Sequence, residues 1–247
     1  MPCPDLFLGN AAALNVLAVL GIGFLLGMRH ATDADHVVAV SAIVSRERSL
    51  RGAAPIGVLW GIGHTFTVLV VGGAIILLGV VIPPQLGLGM ELCVAVMLIL
   101  LGTLNLSEAL RKPNGCLDAR ASRSHEHTHT SLEHSIRHLS LRPLVVGMVH
   151  GLAGSAAIAL LVLGSIRSAL LAAGYLLVFG VGTIAGMLLI TMAMAMPIAL
   201  LADRFDRLHR WLGALTGLGS CAFGAVLFYE IGFVHGLFMN HAVWTPQ

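Results

Sequence analysis

Residues 12–44 read AALNVLAVLGIGFLLGMRHATDADHVVAVSAIV. About 20 predominantly apolar residues suffice to cross a bilayer, and this stretch exceeds that. Yet it carries Arg29, His30, Asp33, Asp35 and His36 inside the apolar run. Ionisable groups within a span are expensive, so by default they mark a site or a pathway. The surrounding chain fits a membrane setting. Of its 247 residues, 57% are hydrophobic and only 11% charged, against roughly 25% charged in soluble domains, and the mean hydropathy is +0.91. A soluble domain, a disordered chain and a coiled coil each require a different composition. The twelve histidines, nearly as many as the 14 Lys and Arg, call for a separate explanation.

Six apolar segments are expected, at 12–44, 53–82, 86–108, 143–164, 169–201 and 212–236. The first and fifth are too long for an untilted span and must tilt, kink or break; Pro197 can kink the fifth. The second, rich in Gly, is expected to be irregular. Twelve of the 14 basic residues lie between segments one and two, three and four, and five and six. The positive-inside rule puts those loops in the cytoplasm and both termini outside, in a bacterial inner (plasma) membrane. The N-terminus lacks a basic region before a short apolar core, so a removable signal peptide is not expected. Cys3, Cys93, Cys116 and Cys221 form no Cys-x-x-Cys pair, which weighs against a thiol relay.

An internal repeat organises these segments. Gly27-Met28-Arg29-His30 aligns with Gly147-Met148-Val149-His150, Trp60-Gly61-Ile62-Gly63 with Phe179-Gly180-Val181-Gly182, and Leu101-Gly102-x5-Glu108 with Phe223-Gly224-x5-Glu230. The offsets of 120, 119 and 122 are nearly constant. Three segments per repeat is an odd number, so the halves have opposite orientation. The expected fold is an all-α membrane protein of six transmembrane helices in a 3+3 inverted repeat, some helices kinked or broken. Its parts are residues 1–108, a cytoplasmic His-rich loop at 109–142, and residues 143–247. In such proteins the substrate site lies at the repeat interface near mid-membrane.

His30, Asp33, Asp35 and His36 supply a nitrogen and oxygen ligand set suited to late first-row divalent metals. On an unbroken helix His30, Asp33 and His36 share a face while Asp35 points away, free to orient a neighbour or neutralise Arg29; if the helix unwinds, all four converge. The plainer alternative is a solvated helix end at the cytoplasmic interface. Against it, mostly apolar residues continue from 37 to 45 before the arginines. His64, in Gly63-His64-Thr65, and His150, the repeat mate of His30, complete the candidate metal ligands, though lone histidines and small residues also serve packing. Glu108 and Glu230 are repeat mates near segment ends and candidate gates. Thr183 and Thr191 either contribute hydroxyls or bond the preceding turn.

His30-x4-Asp35-His36, in the fuller form Arg29-His30-Ala31-Thr32-Asp33-Ala34-Asp35-His36, resembles the signature of the nickel/cobalt transporter (NicO) family. Gly63-His64-Thr65 resembles that family's second motif. Gly186-Met187-x3-Thr191 resembles a later Gly-Met-x3-Asp motif with Thr in place of Asp. His150-Gly151-Leu152-Ala153-Gly154-Ser155 replaces an acidic motif, as in the shorter branch described as urease accessory membrane proteins. The resemblance implies transport of Ni2+ or Co2+, with His30, Asp35 and His36 essential. The metal is then cargo, and no permanently bound cofactor is expected.

His125, His127, His129, His134 and His138 crowd the expected cytoplasmic loop. A short His-rich tract reads as metal capture or sensing, with cytoplasmic nickel-handling proteins as candidate partners. His125-Glu126-x-x-His129 matches a zinc-protease pattern, but that motif needs a helix in a catalytic fold; an enzyme is not expected, nor a nucleic-acid surface. His209 reads as solvated, and His235 and His241 as a metal-collecting entrance. The leading expectation is a secondary transporter working by alternating access, with uptake as its direction, whose binding weakens below about pH 6.5 as imidazoles protonate. An exporter, or a non-transporting accessory protein delivering nickel to an enzyme such as urease, are the alternatives.

Overall fold

The computed structural model describes residues 4–47, 49–78, 83–110, 141–152, 166, 168–202 and 206–239. Among them there is no strand. The helices are α1 (Pro4–His30), α2 (Ala34–Val44), α3 (Leu50–Leu78), α4 (Pro84–Leu110), α5 (Arg142–Leu152), α6 (Ala169–Ala202) and α7 (Asp206–Tyr229), the last running into a π-helical turn at Glu230–Val234. The loop histidines 125, 127, 129, 134 and 138, and His241, lie outside the described residues.

The first apolar segment is broken where its polar residues sit. Thr32 Oγ1 donates to the Arg29 carbonyl at 2.5 Å, and the Thr32 and Asp33 amides close tight turns onto Arg29 and His30. Side chains such as Thr and Asp offer the backbone alternatives to helical bonding. Asp33 is extended, with φ −61° and ψ 147°, and caps α2. The two halves of the segment meet at a bend of 55°. The helix therefore unwinds at Ala31–Asp33, as in the second of the two geometries the sequence left open, but Asp33 does not converge with the other three. The second segment, by contrast, is one continuous helix of 29 residues. Pro55 lies close to its start, where a missing amide disturbs few helical bonds.

Four helices are long and apolar enough to cross a membrane, and the bent α1–α2 pair, a broken span or a re-entrant loop, brings the number to five if it crosses. Of the expected fourth segment, only α5 falls within the described residues. The protein is a multi-pass helical membrane protein, and its surface agrees: Leu77 is 79% exposed and Leu170 86%, while His36, His64 and His150 are buried. Large apolar side chains facing outward around a polar centre suit a lipid surround and would be a liability in water.

Helix α3 packs between α5 and α6, α1 lies along α6, and α4 pairs with α7, while α2 touches α4, α6 and α7. Small residues set these contacts, as expected where lipid removes the hydrophobic incentive and close van der Waals packing must replace it. A Cβ on Gly27 would overlap the Phe179 carbonyl of α6, and one on Gly147 the Trp60 carbonyl of α3. Gly63 meets Leu144 in the same way, and Gly182 meets Phe24. The main core gathers Val40, Val44, Trp60, Leu98 and Met187 with Ala31 at the break.

Candidate metal centre

Four elements converge at the break in the first segment. The end of α1 brings His30, the start of α2 brings Asp35 and His36, mid-α3 brings His64 and the end of α5 brings His150. The Gly63 and Gly147 contacts draw α3 and α5 together, which carries the neighbouring His64 and His150 inward.

His30 donates from Nδ1 to Asp33 Oδ2 at 2.8 Å. That bond fixes the ring and leaves Nε2 with its lone pair, aimed at His64 Nε2 3.1 Å away. Two imidazole nitrogens at this spacing can share one ion, given metal–nitrogen distances of about 2.0–2.1 Å as for zinc. His36 uses Nδ1 toward Asp35 Oδ1 at 3.0 Å. Asp35 Oδ2 lies 3.4 Å from His150 Nε2.

Several polar atoms here are buried with no hydrogen-bond partner: His36 Nε2, His64 Nδ1 and both ring nitrogens of His150. An unsatisfied buried polar atom ordinarily costs about 1–3 kcal/mol. Such atoms concentrated at one point match a polar guest. Potential ligand atoms fall into two groups, His30 with His36 and His64, and Asp35 with His36 and His150, each within 4.8 Å of one another. Phe179 lies against His30 with ring centroids 5.7 Å apart. Trp60 stacks on His36 and lies 5.2 Å from His150, an apolar wall that excludes water.

All six candidate ligands are thus accounted for. His30, Asp35, His36, His64 and His150 come together. Asp33 stands behind His30, its side chain 42% exposed, and belongs to neither group. Asp35 faces His36 and His150 and not Arg29, which is exposed. Thr183 bonds the Phe179 carbonyl one turn back at 3.0 Å, whereas the Thr191 hydroxyl is buried without a partner. His235 ends the π-helical turn, its amide bonded to the Glu230 carbonyl, apart from either group.

Asn105 went unnoticed in the sequence. It is buried in α4, donates to the Ala42 carbonyl at 2.5 Å and to Ser45 Oγ at 3.2 Å, and accepts from Arg46 Nε. Arg46 Nη1 also reaches Glu108 Oε2 at 2.6 Å. Asn105 thereby ties the far end of α2 to α4. A lone amide in an apolar helix, one turn before Glu108, is the signal that could have found it.

Residues 36–219 match the family described as cytochrome C biogenesis protein transmembrane region. Over 233 residues, 91% of this chain and 96% of the relative, the sequence is 36% identical to urease accessory protein UreH of Bacillus sp. (strain TB-90). Over 74 residues, 29% of this chain and 20% of the relative, it is 43% identical to cobalt transport protein NhlF of Rhodococcus rhodochrous. No solved structure matches the chain. With 36% identity to UreH over nearly its whole length and a family match across most of it, the chain belongs to the family of that urease accessory protein, among multi-pass helical membrane proteins.

Proposed function

We propose that the protein is a secondary transporter of a divalent transition metal ion, Ni2+ or Co2+, which it takes up by alternating access at an intramembrane His/Asp site. The observation that carries this reading is the cluster of buried imidazoles with unpartnered nitrogens, next to Asp35, at a helix break inside an apolar bundle. Neutral imidazoles and a carboxylate replace the ion's water, and the break gives the chain a place to flex. His30, Asp35, His36, His64 and His150 are the ligands, and Asp33 is a ligand or the orienting partner of His30. The names of the two relatives, one tied to urease and one to cobalt, support Ni2+ and Co2+, as does the resemblance to the nickel/cobalt transporter family.

The packing supports a duplicated architecture of six spans, with repeats at 1–108 and 143–247 joined by the His-rich loop. Gly27 on Phe179 and Gly147 on Trp60 are the same contact under the sequence offsets, and so are Gly182 on Phe24 and Gly63 on Leu144. Between α4 and α7 the pattern recurs, with Gly102 on Gly217 and Cys221, and Gly224 on Ala95 and Ile99. A local two-fold axis relating inverted halves accounts for all six contacts. The loops rich in arginine then face the cytoplasm and both termini face outward, in the bacterial inner membrane. The loop histidines 125, 127, 129, 134 and 138 receive or sense the ion there.

The test is Ni2+ and Co2+ flux into proteoliposomes of the full chain, beside His30→Ala/His36→Ala at equal protein density. Flux in the parent and its loss in the variant is the expected result; unchanged flux overturns the reading. A second reading, favoured by the name of the UreH relative, is an accessory protein that hands nickel to an enzyme maturation complex and does not itself transport. Flux by the purified chain alone excludes it. Net loss of metal from cells expressing the chain would instead identify an exporter.

A further inference from the structure

We infer that the centre holds a single ion in either of two adjacent positions that share His36, and that the ion is passed between them during transport. The inference rests on the transport reading and specifies how its site works.

The ligand atoms do not form one five-membered shell. Two donors on one ion lie at most about 4.2 Å apart, given bonds of roughly 2.1 Å. Here they fall into two groups of three, each within 4.8 Å, with His36 in both; a group must tighten around an ion wherever its spread exceeds that bound. One position is built from His30, His36 and His64, all nitrogen. The other is built from Asp35, His36 and His150, two nitrogens and a carboxylate. The His36 ring lies between them, its centroid 4.8 Å from that of His30 and 4.7 Å from that of His150. Its two ring nitrogens differ: Nδ1 faces Asp35 at 3.0 Å, and Nε2 is buried without a partner. With Nδ1–H donated to Asp35, Nε2 is the free donor; ligation through Nδ1 requires the ring proton to move to Nε2, so the ring serves one position at a time. Because both positions draw on the same ring, occupation by one divalent ion opposes occupation by a second.

The two positions differ in charge. The all-imidazole group is neutral, while the other carries the Asp35 carboxylate. They also differ in support. His30 is held by Asp33 at the break, and His150 faces the α2 carboxylate. A small change in the bend between α1 and α2 moves His36 and Asp35 together relative to His30, since these residues lie on opposite sides of the break. The break is thus placed to exchange the shared ligand between partners.

The experiment compares Co2+ binding and flux for the full chain with His64→Gln, His150→Gln, the double variant and His36→Gln. Binding is followed in detergent by visible absorption of Co2+ and by X-ray absorption, which counts imidazole ligands. Parallel Ala variants at 64 and 150, with a monodisperse elution profile required of each protein, guard against loss of fold. The expected parent stoichiometry is one ion per chain. Each single variant at 64 or 150 should keep binding, weakened less than about tenfold, with a different Co2+ spectrum for each, yet lose flux more than about tenfold. The double variant and His36→Gln should bind about a hundredfold more weakly or worse, at or beyond the roughly ten- to hundredfold cost of losing a partner that only orients a ligand. If both singles lose as much affinity as the double, the ligands form one shell and the two-position inference is overturned while transport stands. If the parent neither binds nor transports Co2+ or Ni2+, the transport reading falls and the inference with it.

Discussion

Replacing Asn105 by Ala tests whether α2 is held in place from its far end. The Asn105 amide donates twice, to the Ala42 carbonyl and Ser45 Oγ, and accepts from Arg46 Nε. Interhelical hydrogen bonds in membrane bundles average about 0.6 kcal/mol, so three contribute about 2 kcal/mol. Two offsets lower that figure. Ser45 Oγ still donates to the Ala42 carbonyl at 3.0 Å after the change, so that acceptor is not orphaned, and the Arg46 side chain, 36% exposed, can be rehydrated. The expected cost of Asn105→Ala is therefore about 1–2 kcal/mol. Glu108→Ala removes an ion pair whose carboxylate is 65% exposed; such pairs contribute about 0.2–1 kcal/mol. Reversible unfolding in mixed micelles compares the two variants directly. The Asn105 variant should also lower flux, because α2 carries Asp35 and His36. A cost for Asn105→Ala below about 0.5 kcal/mol, or a Glu108→Ala cost equal to it, would refute the assignment of the anchor to the buried amide.

Three further outcomes follow from the same geometry. Gly147→Ala puts a Cβ onto the Trp60 carbonyl and should cost about 1–3 kcal/mol, as overpacking does; Gly73→Ala, with nothing within 4 Å, should be neutral or gain up to about 1 kcal/mol from helix propensity, both read as unfolding midpoints. Asp33→Ala should weaken Ni2+ binding about tenfold to a hundredfold by freeing the His30 ring, and Asp33→Asn, whose amide oxygen still accepts from Nδ1, should restore most of it; titration calorimetry separates this orienting role from direct ligation, which Asn would not rescue. Changing the five loop histidines to Asn should leave flux at saturating metal unaltered and reduce it at scarce metal, measured in intact cells.

The residues of the centre were legible because a bilayer makes polar groups conspicuous. His30, Asp35 and His36 stand out against Leu and Val, and His150 was found through its repeat mate. The break between α1 and α2 was legible only as one of two geometries. The sequence shows Thr32 and Asp33, but whether they defeat the helix depends on the turn that Thr32 closes onto the Arg29 carbonyl. The irregularity expected of the second segment was misread from its glycines. In α3 they serve close packing, as where Gly63 meets Leu144, and the helix runs on unbroken. Asn105 was missed for a related reason: its importance lies in carbonyls and hydroxyls 60 or so positions away, and long-range pairing leaves no local pattern.

Packing and chemistry are distributed differently between the two halves. The glycines that set helix contact recur in both, and each has its mate across the bundle. The ligands do not. His30 and His150 correspond, but the position matching His64 is Thr183, and those matching Asp35 and His36 are Ser155 and Ala156. On the proposed duplication, the scaffold needs its close contacts twice, because each half must pack on the other. It needs a charged centre only once, because a second set of buried carboxylates and imidazoles would have to be desolvated without a second ion to compensate them. Keeping the carboxylates on one half also makes the two sides of the ion unequal. One faces Asp35 on α2, and the other faces imidazoles on α1 and α3. On the proposed transport reading, a symmetric frame around an asymmetric ligand set would let the same helices rock either way while the ion changes partners.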